Sequence, residues 1–202
     1  MVINMNKPIA EACLRNQQPI AEKLVQLLPN AGYLLELGSG TGQHAVYCAQ
    51  RLPHINWQPS DVQQNLAGIN RWVDDAELAN ILPTIELDVD QLWPIHRADY
   101  VFTANTIHYI SLDSVKNLFA GVSSILPKKG LFIAYGPVNE NGEYTSEGNV
   151  RLDAWLKSSV NPLAGIKDLE LLKSLAALEQ LTLVDNIAMP ANNRLLVIQK
   201  NS

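Results

Sequence analysis

The chain has 202 residues, with 15 Lys+Arg against 20 Asp+Glu, so its formal charge is −5. At roughly 150 residues per domain this is one domain, long enough to bury a core without disulfides or metals. Hydrophobic residues at 47% and charged residues at 17% exclude a disordered or low-complexity chain. The acidic balance excludes a strongly basic nucleic-acid footprint, and no nucleic-acid partner is expected. No apolar run approaches the ~18 residues that span a bilayer, and the first residues carry no apolar signal-peptide core. A cytoplasmic protein without a membrane partner is therefore expected; its assembly state is not legible. Cys13 and Cys48 stand too far apart for a metal or redox motif and read as two half-buried thiols. No metal site is expected.

In chain order, Pro19 is placed to open a helix, with Ile20, Ala21, Leu24, Val25 and Leu28 on one face and Pro29 ending it. Residues 33–37 form a short strand running into a glycine cluster. Ala45, Val46, Ala49 and Leu52 give the next helical face, closed by Pro53. A strand over 55–58 is followed by Pro59, Ser60 and Asp61. A helix over 65–77 turns Leu66, Ile69 and Val73 inward, and a strand over 84–87 precedes Asp88. Residues 98–104 suit a buried strand. Ser111 is an N-cap for a helix through Leu126, with Asp113 in its first turn. Residues 131–135 form a fifth strand.

Residues 138–167 are polar and poorly periodic, as a lid or binding loop would be. Asp168 caps a helix with Leu171, Leu172, Leu175 and Leu178 on its face. Strands over 182–189 and 195–199 close the chain as a hairpin. The alternation predicts an α/β, doubly wound, mostly parallel seven-stranded sheet with a C-terminal antiparallel hairpin, a Rossmann-like arrangement. The expected organisation is a single domain over 1–202, with 1–31 as an N-terminal cap and 138–167 as a lid-like insertion.

Ligands on such sheets sit beyond the carboxyl ends of the strands. There the chain reads Glu36-Leu37-Gly38-Ser39-Gly40-Thr41-Gly42. Alternate glycines after a buried strand allow a tight turn and let a ligand approach bare backbone. The dinucleotide fingerprint would need glycine where Gln43 stands, and no Gly-Lys-Ser/Thr follows for a phosphate loop. Asp61, closing the second strand, is placed to accept hydrogen bonds from ribose hydroxyls. Asp88, after the third, is placed to accept from an adenine amine.

The loop, Asp61, Asp88 and the closing hairpin resemble a class I S-adenosylmethionine-dependent methyltransferase over residues 31–136 and 168–200. A narrower similarity lies in Arg15-Asn16-x-x-Pro19-Ile20, Trp57-Gln58-Pro59-Ser60-Asp61, Asn105-x-x-His108, Tyr135-Gly136-Pro137 and Asn149-x-x-x-Asp153. These are similar to a little-characterised methyltransferase-like branch of unknown substrate. That branch often has an aromatic residue near the Asp153 position; here the neighbours are Arg151 and Leu152.

The resemblance implies S-adenosyl-L-methionine as cofactor. Glu36, Gly38, Ser39, Gly40, Thr41 and Gly42 would hold its methionyl part and ribose. Asp61 would take the ribose hydroxyls, Asp88 and Val89 would bracket adenine, and Asn105 would face the methyl donor. His108 is the candidate base, since an ordinary histidine titrates near ~6.5; Asn105 would orient substrate, and Tyr109 or Tyr135 would flank the sulfonium. Arg15, Asn16, Tyr135, Asn149 and Asp153 would close the substrate pocket. His44 and His96 lack metal-ligand spacing and read as surface or capping residues. The four tryptophans are dispersed, so no base-stacking platform is visible. The expected activity is methyl transfer to a small-molecule acceptor. A catalytically silent S-adenosylmethionine-binding module is the alternative, disfavoured by the presence of Asn105 and His108. A nicotinamide-dependent oxidoreductase is disfavoured by Gln43 and the hairpin.

Overall fold

Short apolar runs alternating with helical periods fold into a seven-stranded sheet with helices on both sides, as expected. The computed structural model describes residues 7–202, so the first six residues of the expected N-terminal cap lie outside the described residues. The chain divides into two units, Met1–Asp88 and Val89–Ser202.

In the first unit the elements are α1 (Glu11–Leu27), β1 (Gly32–Leu37), α2 (Gln43–Ala49), β2 (Ile55–Asp61), α3 (Gln63–Ala76) and β3 (Ile85–Glu86). The strand order is β3-β2-β1, all parallel. Leu34, Leu35, Glu36 and Leu37 are all buried, the continuous run of a parallel strand covered on both faces. This register, Leu37 beside Ser60 and Asp61 beside Glu86, brings the glycine loop and Asp61 to one end of the strands.

Pro19 does not start α1 but sits inside it. The preceding turns hold because Asn16 is buried and Ala10 N–H is bonded to Gln43 Oε1 at 2.6 Å; tertiary contacts outweigh the local cost of proline. Val25 on the expected inner face is exposed. Pro59 does not end β2 either. On the β3 side of β2, pairing at Trp57 with Ile81 is interrupted and resumes at Ser60, so the missing N–H of Pro59 falls in the gap and is tolerated. Of the inward face expected for α3, Ile69 alone is buried.

The second unit contains β4 (Tyr100–Ala104), α4 (Leu112–Ile125), β5 (Leu131–Pro137), α5 (Glu147–Ser159), α6 (Leu169–Leu178), β6 (Leu181–Met189) and β7 (Asn193–Lys200). Its strand order is β4-β5-β7-β6, with β4 and β5 parallel and the rest antiparallel. Ser111 and Asp168 cap as expected, accepting from Ser114 N and Glu170 N. The segment 138–167 is not an aperiodic loop. It contains α5, capped by Ser146, and it buries Val138, Ala164 and Ile166. The helix escaped periodicity because its inner face holds Asn149, Asp153 and Leu156, two polar residues and one apolar.

Trp93 is buried against α4, where a Cβ on Gly121 would lie 2.3 Å from its ring. Gly121 is therefore fixed by packing, since no methyl group fits there. Gly121→Ala is expected to lower stability by about 1–3 kcal/mol, the range for overpacking a filled site; urea unfolding would measure it, and an unchanged midpoint would contradict the packing argument.

Candidate functional site

The loop after β1 is held by one carboxylate. Asp61 Oδ2 accepts from Gly40 N at 2.7 Å, and Oδ1 accepts from Val62 N and Asn65 Nδ2, each at 2.8 Å. An ionised carboxylate offers about four lone-pair sites, so it keeps capacity for another donor. Ser39 N donates to Ser60 O, and Ser60 N donates back to Ser39 Oγ at 3.1 Å. The loop is thereby stitched to the end of β2 on both sides.

Two of its glycines have different reasons. At Gly42, φ is +89° and a Cβ would meet the α3 backbone at Ile69 Cα, 3.0 Å away. This glycine lets α3 approach. At Gly40, φ is +59° and a Cβ would meet nothing within 4 Å. No packing demand accounts for Gly40 beyond its φ, and the space above it is open to a ligand.

Glu36 lies beneath the loop, 1% exposed. Ser39 Oγ and Trp57 Nε1 donate to its Oε2 at 2.9 and 3.0 Å. Burial raises its pKa to about 7; the two donors pull the other way and the charge of Asp61 adds to the rise. The side chain reaches into the protein and sets the loop through Ser39.

Asn16, expected in a lid, is buried, and its Oδ1 stands 2.8 Å from His44 Nε2. His44 is not the surface residue expected: it is buried, and burial pushes its pKa down to about 4. Its Nδ1 lies 3.5 Å from Cys13 Sγ. This side-chain contact between Asn16 and neutral His44 holds α1 on α2. Burial pushes the Cys13 thiol up to about 11, so it is not a poised nucleophile. Cys48 is fully buried rather than half-buried. Arg15 is exposed beside Asn16, and Asp88 is half-buried at the end of the first unit.

The second unit carries the other expected residues. Val89 and Trp93 line a groove of about 520 Å³ along α4. Asn105, just past β4, has φ +59° and donates its N–H to Tyr135 O at 2.9 Å. Asparagine takes the left-handed region more readily than most residues, which suits it to this turn at the carboxyl end of β4. Tyr135 itself is buried within β5, opposite Leu195 of β7.

His108 is buried, with its ring 4.9 Å from that of Tyr109. Burial, then the charge of Lys167, pushes its pKa down to about 4. This lies below the ordinary histidine value from which the expected role of a base is argued, and a neutral His108 holds an added proton poorly. Asn149 and Asp153 do share the inner face of α5, but within the protein. Asn149 Nδ2 donates to Thr145 Oγ1, while Asp153 accepts from Tyr144, Lys157 and the Ile166 backbone. Lys167 was missed by sequence reading, and its one signal was a lone cation after the apolar run Leu163-Ala164-Gly165-Ile166.

This sheet, with a glycine loop after β1 and an acid closing β2, is the class I S-adenosylmethionine-dependent methyltransferase fold. An O-methyltransferase family protein from Burkholderia thailandensis matches with a TM-score of 0.83 at 14% identity, over 95% of this chain and 58% of that one. An O-methyltransferase family 2 protein from Planctomyces limnophilus, in complex with apigenin, matches with 0.75 at 17% identity, over 91% and 61%. Human N-acetylserotonin methyltransferase, in complex with S-adenosylmethionine, matches with 0.78 at 12% identity, over 95% and 53%. The chain thus spans a little over half the length of these proteins, and the likeness is one of fold. Residues 7–200 match the family described as "Protein of unknown function (DUF938)", and the chain belongs to that family. Among the described residues no helix is long and apolar enough to cross a membrane.

The Glu36 carboxyl binds its proton more tightly folded than unfolded, since its folded pKa of about 7 exceeds the ordinary 4.5. Its contribution therefore favours the folded state below pH 4.5 and is lost as pH rises to about 7. Glu36→Gln has no such proton to lose. The stability of the variant relative to wild type should rise steadily across that window in denaturant titrations; a constant difference would place the Glu36 pKa at its ordinary value.

Proposed function

We propose that the chain is an S-adenosylmethionine-dependent methyltransferase acting on a small molecule. The observation that carries this reading is the open space over Gly40 in a loop whose backbone is fixed by Asp61. The residues fit the cofactor: a bare, preorganised backbone turn lies beside a carboxylate with acceptor capacity to spare. Gly38–Gly42 would hold the methionyl part and ribose, with Glu36 setting the loop from below, and Asp61 would take ribose hydroxyls. Asp88 and Val89 remain proposed for adenine, and Asn105 for the methyl-donor end. Bound there, S-adenosylmethionine would supply a methyl group on a positively charged sulfur, with the thioether as leaving group.

The protein's own part is then alignment, which accounts for roughly 7–11 kcal/mol in well-oriented reactions. Water exclusion by the 138–167 segment fits that part, although Asp153 anchors the segment rather than facing an acceptor. The low His108 pKa is the observation that favours the silent binding module as a second reading. It bears equally on an enzyme whose acceptor needs no deprotonation.

Calorimetry with S-adenosylmethionine, S-adenosylhomocysteine and NAD is the deciding experiment. The first two should bind and NAD should not. Gly40→Val, which places a branched side chain in the open space, should weaken S-adenosylhomocysteine by at least about tenfold. Asp61→Ala should cost about 1.5–3 kcal/mol, the range for hydrogen bonds to a charged group. Tight NAD binding, or undiminished affinity in folded Gly40→Val, would remove the cofactor placement. Release of S-adenosylhomocysteine from S-adenosylmethionine in the presence of acceptor extracts separates the enzyme from the silent module.

A further inference from the structure

In the second unit, residues 108–110 and 165–167 are joined around a buried ammonium. Lys167 Nζ donates to Ile110 O at 2.7 Å and to Gly165 O at 2.8 Å. The Gly165 N–H donates to His108 O at 2.9 Å, which ties the lysine's segment to the histidine's. Lys167 is 7% exposed. An ammonium has three N–H donors, so one remains after the two carbonyls.

Among the described residues, no carboxylate comes within ion-pair distance of Lys167. The carboxylate whose charge acts on it, Asp153, is already engaged by Tyr144, Lys157 and the Ile166 N–H at 2.8, 2.5 and 2.6 Å. Lys157 adds a second positive charge, and the facing histidine is neutral. Burial, the largest influence, brings the Lys167 pKa down to about 8, so the ammonium form still predominates at neutral pH. Asp153 therefore balances the Lys167 charge only in part, and the two neutral carbonyls leave its third N–H unfilled. An anion on the third N–H would complete both the hydrogen bonding and the charge balance.

The side of this cluster has its own character. The His108 ring meets Tyr109, and Tyr109 meets Trp155 edge-on at 6.3 Å. Tyr109 and Trp155 are 39% and 48% exposed, an aromatic pair left facing solvent, and Tyr109 lies between His108 and Ile110, the two residues whose carbonyls bond the lysine's segment. Such rings pack flat apolar bodies by stacking and edge contacts. Cation and aromatic pair together specify an anion joined to a flat apolar group.

We propose that Lys167 is an acceptor-binding residue, and that the acceptor carries a carboxylate which seats on its free N–H while an attached aromatic body packs on Tyr109 and Trp155. Carboxylic acids are ionised at neutral pH, whereas phenols with pKa near ~10 are not. Neutral His108 does not remove a phenolic proton, so an already ionised oxygen is the partner that matches the site. The proposal deepens the methyl-transfer reading and rests on it only in naming the ligand as the acceptor.

The test uses the full chain and three probes of like shape: benzoate, benzamide and phenol. Side-chain NMR signals of His108, Lys167 and Trp155 are followed during titration, with and without S-adenosylhomocysteine. Benzoate should give saturable shifts at all three residues, benzamide none, and phenol only weak ones at neutral pH. Lys167→Met should weaken benzoate by about tenfold to a hundredfold, the span of a charge-assisted hydrogen bond, while Lys167→Arg keeps part of the affinity. If Lys167→Met does not fold, Trp155→Ala at its exposed position serves instead and should weaken benzoate several-fold. The proposal falls if benzoate leaves His108 and Lys167 unshifted, if benzamide or phenol binds as well as benzoate, or if neither variant weakens it. Saturable benzoate shifts in a protein that ignores S-adenosylhomocysteine would overturn the methyl-transfer reading and leave the carboxylate site standing.

Discussion

The hydrogen bond from the Gly40 backbone to the Asp61 carboxylate sets the shape of the loop around which the first unit is built. A turn of alternating glycines has little conformational preference of its own, because each glycine populates positive and negative φ about equally. Without an external anchor that freedom would be lost entropy at every encounter with a ligand. Asp61 supplies the anchor from the end of the neighbouring parallel strand, and Val62 and Asn65 fix the carboxylate in turn. The register of β1 on β2 places donor and acceptor together. Ser39 and Ser60 repeat the link one residue back. The loop is thus preorganised by contacts that run across the sheet rather than along the chain.

The ionisable groups inside this protein follow two patterns. Burial shifts Glu36 and His44 toward their neutral forms, and both serve as hydrogen-bonding parts of the scaffold, one beneath the loop and one between helices. Lys167 is not neutralised to the same degree, because Asp153 acts on it while remaining occupied by other donors. The first pattern disfavours charge in the interior of the first unit. The second leaves a positive charge that ties residues 165–167 to the segment carrying the exposed Tyr109. His108 lies beside it and is kept neutral by burial and by that same charge. The two halves of the proposed chemistry therefore differ in electrostatic character as well as in position along the chain.

Much of this architecture was legible in the sequence. The strand before the glycines, the caps at Ser111 and Asp168, and the closing hairpin rest on local rules: apolar runs, capping side chains and turn residues. Glycine spacing and an acid at the end of the second strand were enough to point to the loop and to Asp61. Local rules failed where non-local contacts decide. Pro19 was read as a helix start because its ring favours that position, yet contacts of Asn16 and Ala10 carry the helix through it. The α5 helix was invisible to periodicity because it turns a carboxylate and an amide inward, each held by partners that only the folded chain brings near.

By itself, then, the sequence determined the order and type of the elements other than α5 and the identity of the loop, since these follow from backbone propensity and from chemistry written within a few residues. Tertiary structure alone decided the protonation of Glu36, His44, His108 and Lys167, because desolvation depends on what surrounds a side chain in space. It also decided that Gly42 is required by the approach of α3 while Gly40 is open, although the two look alike in sequence. And it converted Asp153 from an expected pocket residue into the anchor of Ile166, leaving Lys167 as the buried cation without an ion-pair partner among the described residues. Spacing along a chain shows which residues share a face; only packing shows whether that face meets solvent, a ligand or the protein's own backbone.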